Sequence, residues 1–328
     1  MGSRHSGRTT RYALVGQLLV LALLLGATAA IWINRFWLYD TYRLRGYEPP
    51  AAIVQLADDT TMRPDARRVF YASRPVLETQ GSFTHCPGNE KTVVLGCYTT
   101  ERSIYLYDVP DSRLDGLEQV TAAHELLHAL YERLSAGEQA RINQLLDDAF
   151  STVQNERIIN NIEAYRKAGA DVQNELHSIM ASEVRQLPPE LEEYYARYFV
   201  NRIAIVGYME QYEAEFTSRQ SRIDEYDRRL AELKQQIDDL DSLLVAQTER
   251  INAEYQALQQ IRQQQPEDYR ERAIVYNQSV EAHNQQVRTE QRLVDEYNDI
   301  VNQRNELVME KSALRKALDS RSPLVGGE

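Results

Sequence analysis

Residues 124–128 read His-Glu-Leu-Leu-His. In a helix, positions four apart share a face, so His124 and His128 can turn two imidazole nitrogens toward one metal ion. Glu125 projects beside them, where a carboxylate can take a proton from a metal-activated water. The chain holds only six histidines, so the pairing carries information. A hydrolytic zinc site needs three protein ligands and an open position for water. The third ligand must come from a later element and be His, Asp or Glu. Glu175 is the first candidate, in Asn-Glu-Leu-His-Ser-Ile-Met-Ala-Ser-Glu over residues 174–183. Leu176, Ile179 and Met180 fall on the buried side of that helix. Glu183, two turns on, is the alternative ligand. His177 points about 200° away from Glu175 around the helix, so the two do not both face a metal.

The elements that must position these residues can be read from periodicity. Residues 117–134 form an amphipathic helix with Val120, Leu127, Leu130 and Leu134 as its buried stripe. Upstream, residues 82–85, 92–99 and 103–109 read as three short strands. In the last of them Ile104 and Leu106 face one side and Tyr105 and Tyr107 the other, and Pro110 ends it. Downstream, Ser135 and Glu138 form a capping box that opens a helix over 138–153. A further helix covers 172–186 and stops at Pro188-Pro189. Before the strands, Pro49-Pro50 marks a break, and 51–56 and 66–72 read as short helices.

In these residues the chain resembles the zincin metallopeptidases, in particular the gluzincins, whose third ligand is a glutamate. The resemblance covers His124 to about Glu183 with the strand before it. It implies that the His-Glu-x-x-His helix packs beneath a small sheet whose edge strand pairs with an extended substrate, and it points to residues 103–109 as that edge. Similarity to members whose third-ligand helix is of the Asn-Glu-x-x-Ser or Glu-x-x-Ala type also implies that Glu175, in the run 174–178, is the ligand. The activity implied is peptide hydrolysis with one Zn²⁺ per chain and Glu125 as general base. Tyr165, Tyr194, Tyr195 and His177 are candidates to stabilise the oxyanion. The chain departs from thermolysin-like members, which carry Asp four residues after the glutamate; here that residue is Ile179. No third histidine follows His128 at the short spacing of metzincins.

Residues 12–33 form an apolar run long enough to cross a bilayer as a helix. Arg4, Arg8 and Arg11 precede it, Trp32, Phe36 and Trp37 suit the far interface, and Arg35, Arg43 and Arg45 follow. An anchor with the body outside the cytoplasm is expected; the rival is a signal peptide cleaved after Ala27-Thr28-Ala29. Met1-Gly2 with Ser6 matches a myristoylation pattern, which a membrane segment so close makes incidental. The two cysteines, Cys86 and Cys97, flank a short loop and suit a disulfide in that compartment.

From Glu190 the pattern changes. Ile205, Met209, Tyr212, Phe216, Ile223, Tyr226, Leu230, Leu233, Ile237, Leu240, Leu244, Ile251, Leu258 and Ile261 keep a seven-residue register, the mark of a coiled-coil seam. The stretch 263–267 interrupts it. A second seam carries Ala273, Tyr276, Val280, His283, Val287, Val294, Tyr297, Val301 and Val308. An antiparallel hairpin closes both seams, and the polar His283 can set its register. The tail 322–328 is expected to be disordered.

A net charge of −12, with no sustained Lys/Arg stripe, excludes a nucleic-acid partner. Scarce Gly and Pro favour helix over an all-β fold. The expected architecture is α+β and mostly α: a tail and transmembrane anchor over 1–38, a zincin-like domain with a short antiparallel sheet over 39–200, and a coiled-coil hairpin over 201–328. The expected function is a membrane-anchored zinc metallopeptidase acting on peptide or protein substrates. The alternative is an inactive zincin scaffold whose hairpin binds a protein partner or a second copy.

Overall fold

A computed structural model describes residues 6–86, 94–262 and 265–320, with the backbone alone for 6–16 and 266. Among the described residues the chain is mostly helical with one small sheet. It divides into two compact units: residues 1–212 with 317–328, and Glu213–Lys316.

The first unit is organised around one helix. Helices α1 (Ser6–Ile33), α2 (Arg35–Leu44), α3 (Ala51–Asp59) and α4 (Pro64–Ala72) lead to strands β1 (Val76–Glu78), β2 (Gly96–Tyr98) and β3 (Ile104–Tyr107). Helices α5 (Leu117–Tyr131), α6 (Ala136–Phe150), α7 (Glu156–Ala168), α8 (Val172–Glu183) and α9 (Pro189–Tyr195) follow. The long helix α10 (Arg202–Ile261) begins in this unit. Helix α5 packs against α8 on one side and under β2 and β3 on the other, with α3 and α4 also against it. Its Val120, Leu126, Leu127 and Leu130 are buried together with Ile104 and Leu106 of β3 and Leu176, Ile179 and Met180 of α8. The stripe expected for residues 117–134 is therefore core.

The sheet differs from expectation. Its order is β1-β3-β2, with β1 parallel and β2 antiparallel to β3, so it is mixed. The segment 103–109 is the central strand, and β2 is the edge over α5. Residues 82–85 are turn and irregular backbone, because Thr79 carbonyl accepts from Ser82 and Phe83 N–H and closes a turn there. Residues 92–93 lie outside the described residues. Pro189 ends no helix; it starts α9, since proline at a first helical position loses no hydrogen bond.

Two glycines permit the close packing around α5. Gly116 has φ +98°, and a Cβ there would stand 2.6 Å from the Tyr208 ring of α10. A Cβ on Gly96 would meet Thr121 Cγ2 at 2.5 Å. Only glycine lets the edge strand settle this tightly on the helix.

Among the described residues no single helix is long and apolar enough to cross a membrane; Gln17–Ile33 and Arg35–Leu44, bent by 62°, pass that test as a pair by length and composition. The chain end returns to the first unit. There the Tyr107 hydroxyl donates to Ala317 carbonyl at 3.3 Å, Ser320 Oγ donates to Val94 carbonyl at 2.6 Å, and Leu318 is buried. The expected tail 322–328 lies outside the described residues.

The second unit pairs α10 with α11 (Pro266–Ala317). Arg219 meets Glu310, Tyr226 meets Gln303, Arg229 meets Glu296 and Tyr255 meets Tyr276. The second number falls as the first rises, so the arms are antiparallel. Ile223, Leu233, Leu244 and Leu258 are buried on the first arm as expected. On the second arm half of the seam sits one residue earlier: Leu307 and Leu314 are buried, whereas Val308 and Val287 are exposed. The row 293, 300, 307, 314 is Leu, Ile, Leu, Leu, and these longer side chains fill the interface better than the valines one place on. His283 Nδ1 lies 3.3 Å from Gln247 Oε1, a polar contact within the seam.

Candidate metal centre

Helices α5 and α8 together build the site. Asp171 caps α8 by accepting from Asn174 N–H at 3.3 Å, which sets Glu175 in the first turn. Arg202 holds the other end: its buried guanidinium donates to the carbonyls of Ala181, Val184 and Arg185 and pairs with Glu192 at 2.5 Å. Helix α8 is thus fixed at both termini against α5.

The two helices bring His124, His128 and Glu175 together. One ligand atom from each lies within 4.8 Å of the other two, a group that could hold a metal ion. Glu175 Oε2 stands 3.6 Å from His124 Nε2 and 3.9 Å from His128 Nε2. These distances exceed a hydrogen bond, and Oε2 is buried with no hydrogen-bond partner. A buried carboxylate oxygen facing two imidazole nitrogens across a gap fits a shared cation better than a closed ion pair. On the far side of its ring, His128 Nδ1 meets Asn174 Oδ1 at 3.0 Å and Ser178 Oγ at 3.4 Å. Asn174 Oδ1 accepts, so Nδ1 carries the proton and Nε2 presents its lone pair inward. Asn174 and Ser178 bracket Glu175 in the Asn-Glu-x-x-Ser run, which pointed to the glutamate and gave these two residues no role of their own.

Charge at the site follows from burial and proximity. Burial alone would lower the His124 imidazolium, but Glu175 beside it and the charges of Glu125 and Glu183 outweigh that and push its pKa up to about 9. Burial raises Glu175, and the neighbouring His124 and His128 with the Tyr165 hydroxyl overcome it, holding the carboxylate below its usual range. Burial raises Glu125 above the usual range, opposed by His128 and His124 and by a hydrogen bond from the Tyr98 backbone.

That last contact ties the motif to the sheet. Thr99 N–H bonds to Ser103 carbonyl and Tyr107 N–H to Leu95 carbonyl. By the alternation of an antiparallel pair, the backbone groups of Gly96 and Tyr98 then point away from β3, along the free edge. Cys97, between them, is joined to Cys86 in the expected disulfide.

The remaining candidates separate. Tyr165 lies against Glu175, and burial with the nearby carboxylates raises its hydroxyl pKa. Glu183 is outside the ligand group and pairs with Arg157 at 2.7 Å. His177 is fully buried on the opposite face of α8, where Nε2 meets the Tyr194 hydroxyl at 2.8 Å and Tyr195 donates to its carbonyl. Burial lowers its pKa to about 3, so it is a neutral core residue. Tyr194 and Tyr195 pack in the same cluster. No protein-family model matches the chain, and neither a curated protein nor a solved structure does.

Proposed function

We propose that this chain is a membrane-anchored zinc metallopeptidase with its body outside the cytoplasm. The observation that carries the reading is Glu175 Oε2, buried without a hydrogen-bond partner and aimed at both histidine Nε2 atoms. His₂Glu is a donor set that suits zinc and leaves a fourth position open. Zinc bound there would acidify a water molecule and polarise the scissile carbonyl.

The chain's own residues supply the rest. Glu125 takes the proton of the attacking water and delivers it to the departing amine. Its buried setting suits a group that must change protonation during turnover. The outward backbone groups of Gly96 and the outward carbonyl of Tyr98 can pair with an extended peptide as an added strand. The Tyr165 hydroxyl, held against Glu175, donates to the developing oxyanion. The apolar run of α1, with Leu18, Leu23 and Ile31 exposed, supports the anchor.

The experiment is zinc content and peptide-library hydrolysis by the full chain in detergent. Wild type is expected to hold one zinc. Glu125→Gln should keep the metal and lose about 10²–10⁴ in rate. Glu175→Ala should lose the metal and Glu183→Ala should keep it. A second reading, an inactive scaffold with an interacting hairpin, draws on the exposed Leu243, Val245, Ile274 and Val275 of the second unit. One zinc with no hydrolysis would favour it; no zinc would end both.

A further inference from the structure

Helix α2 is amphipathic in the wrong sense for water. Its inward face carries the polar groups. Asp40 is 5% exposed and bonds Arg133 at 3.0 Å. Arg43 donates to Ala72 carbonyl and to Ser103 Oγ, both at 3.1 Å. Phe36, expected at a membrane interface, instead sits under the guanidiniums of Arg102 and Arg133 at 5.3 and 5.1 Å. The outward face carries the apolar groups: Trp37 is 59% exposed, Leu38 44% and Tyr42 76%. A helix docked in water turns its apolar face to the core. A buried ion pair holds this one with Trp37, Leu38 and Tyr42 turned away from the protein, an apolar face that a non-aqueous covering would stabilise.

The surroundings identify the covering. Trp32 and Ile33, at the end of α1, are 68% and 76% exposed and continue the apolar surface into a run of exposed leucines. Tryptophan and tyrosine favour the membrane interface, where a ring sits in the apolar boundary and its polar atom stays wet. Charge agrees. The chain carries −12 overall, yet residues 1–47 hold six arginines and a single acid, Asp40, which is turned inward. Arg35 stacks over Trp32 at 4.6 Å, Arg68 lies 5.8 Å from the Trp37 ring, and Arg45 is exposed at the end of the helix. Guanidiniums beside interfacial rings suit lipid phosphates.

We propose that the outward face of α2, Trp37 with Leu38 and Tyr42, lies in the headgroup region of an anionic bilayer. There it fixes the orientation in which the metal domain is held. The inference rests on the reading that α1 enters a bilayer. The inner face of α2 grips Arg133, just beyond the helix that carries His124, Glu125 and His128. The lipid contact therefore orients α5 itself and is more than a tether.

The chain has only two tryptophans, Trp32 and Trp37, so its fluorescence reports these two places alone. The full chain is reconstituted into phosphatidylglycerol vesicles containing phosphatidylcholine brominated on the acyl carbons nearest the headgroup. Trp32→Phe isolates Trp37, and Trp37→Phe isolates Trp32. Far-UV circular dichroism checks that each variant is folded; if Trp32→Phe is not, the bromine-quenched fraction of wild type minus that of Trp37→Phe gives the same answer. Trp37 is expected to lose most of its emission to the brominated lipid and to resist aqueous iodide. Quenching by iodide but not by bromine, with Trp32 still quenched by lipid, overturns the proposal and leaves the anchor intact. Protection of Trp37 from both quenchers means a protein covers the face, and also overturns it. If neither tryptophan feels the lipid, the anchor reading fails with it. Zinc binding and hydrolysis stand or fall separately from all four results.

Discussion

The two units use charge in opposite ways. In the first, several charged groups are buried and depend on a few fixed partners: Asp40 on Arg133, Arg202 on Glu192 and three carbonyls, Glu175 on two imidazoles. In the second, the interhelical pairs lie at the surface; Arg229 and Glu296 are 40% and 44% exposed. Burial decides how much a partner matters. A buried charge that loses its partner cannot recover its hydration, whereas an exposed one returns to water. The first unit therefore concentrates function and fragility in a few contacts, and the second spreads modest stability along a repeated seam.

The sharpest break of this contrast is Asp40→Ala. It strands the Arg133 guanidinium and should cost about 3–5 kcal/mol, read as a lowered denaturation midpoint. A cost below about 1 kcal/mol would show that the pair behaves like a surface one. Next is Asn174→Ala, which releases His128 Nδ1. Zinc affinity should fall about 10–100-fold with the fold retained, measured by competition with a chromophoric chelator. An unchanged affinity would remove Asn174 from the site.

The pH dependence sharpens the contrast further. In metal-free protein the His124 pKa rises from 6.5 to about 9 on folding. A raised value means that folding favours the proton, so this stabilisation is complete below pH 6.5 and lost as pH climbs through about 9. Chelated protein should melt lower across that window. Zinc must displace the same proton, so its affinity should rise there instead. Parallel trends would contradict the assignment of His124 as a ligand. The smallest effect belongs to the second unit. Arg229→Ala should leave the denaturation midpoint almost unchanged, and added salt should erase what difference there is.

The same division governs what could be read in advance. The hairpin was legible because its contacts repeat every seven residues, and the difference is local: Leu307 fills the seam in place of Val308 beside it. In the first unit α5 was legible from helical spacing, and Glu175 from the need for a third ligand on a later helix together with the resemblance. The sheet was not. β1 has three residues, too few for a periodic signal, and without it residues 103–109 read as an edge instead of the centre. Helix α2 was hidden because its apolar residues, Trp37, Leu38 and Tyr42, continue the pattern of the run before it. The fate of His177 followed from its angle relative to Glu175, but its tyrosine cage depends on α9, which the proline pair concealed.

The return of the chain end has a consequence for biosynthesis. Residues 317–320 supply Leu318 and two hydrogen bonds to the sheet. They leave the ribosome only after the whole of Glu213–Lys316 has been made. The first unit therefore closes last, although most of it is translated first. In a nascent chain interrupted within the hairpin, the Tyr107 hydroxyl and the Val94 carbonyl lack these partners.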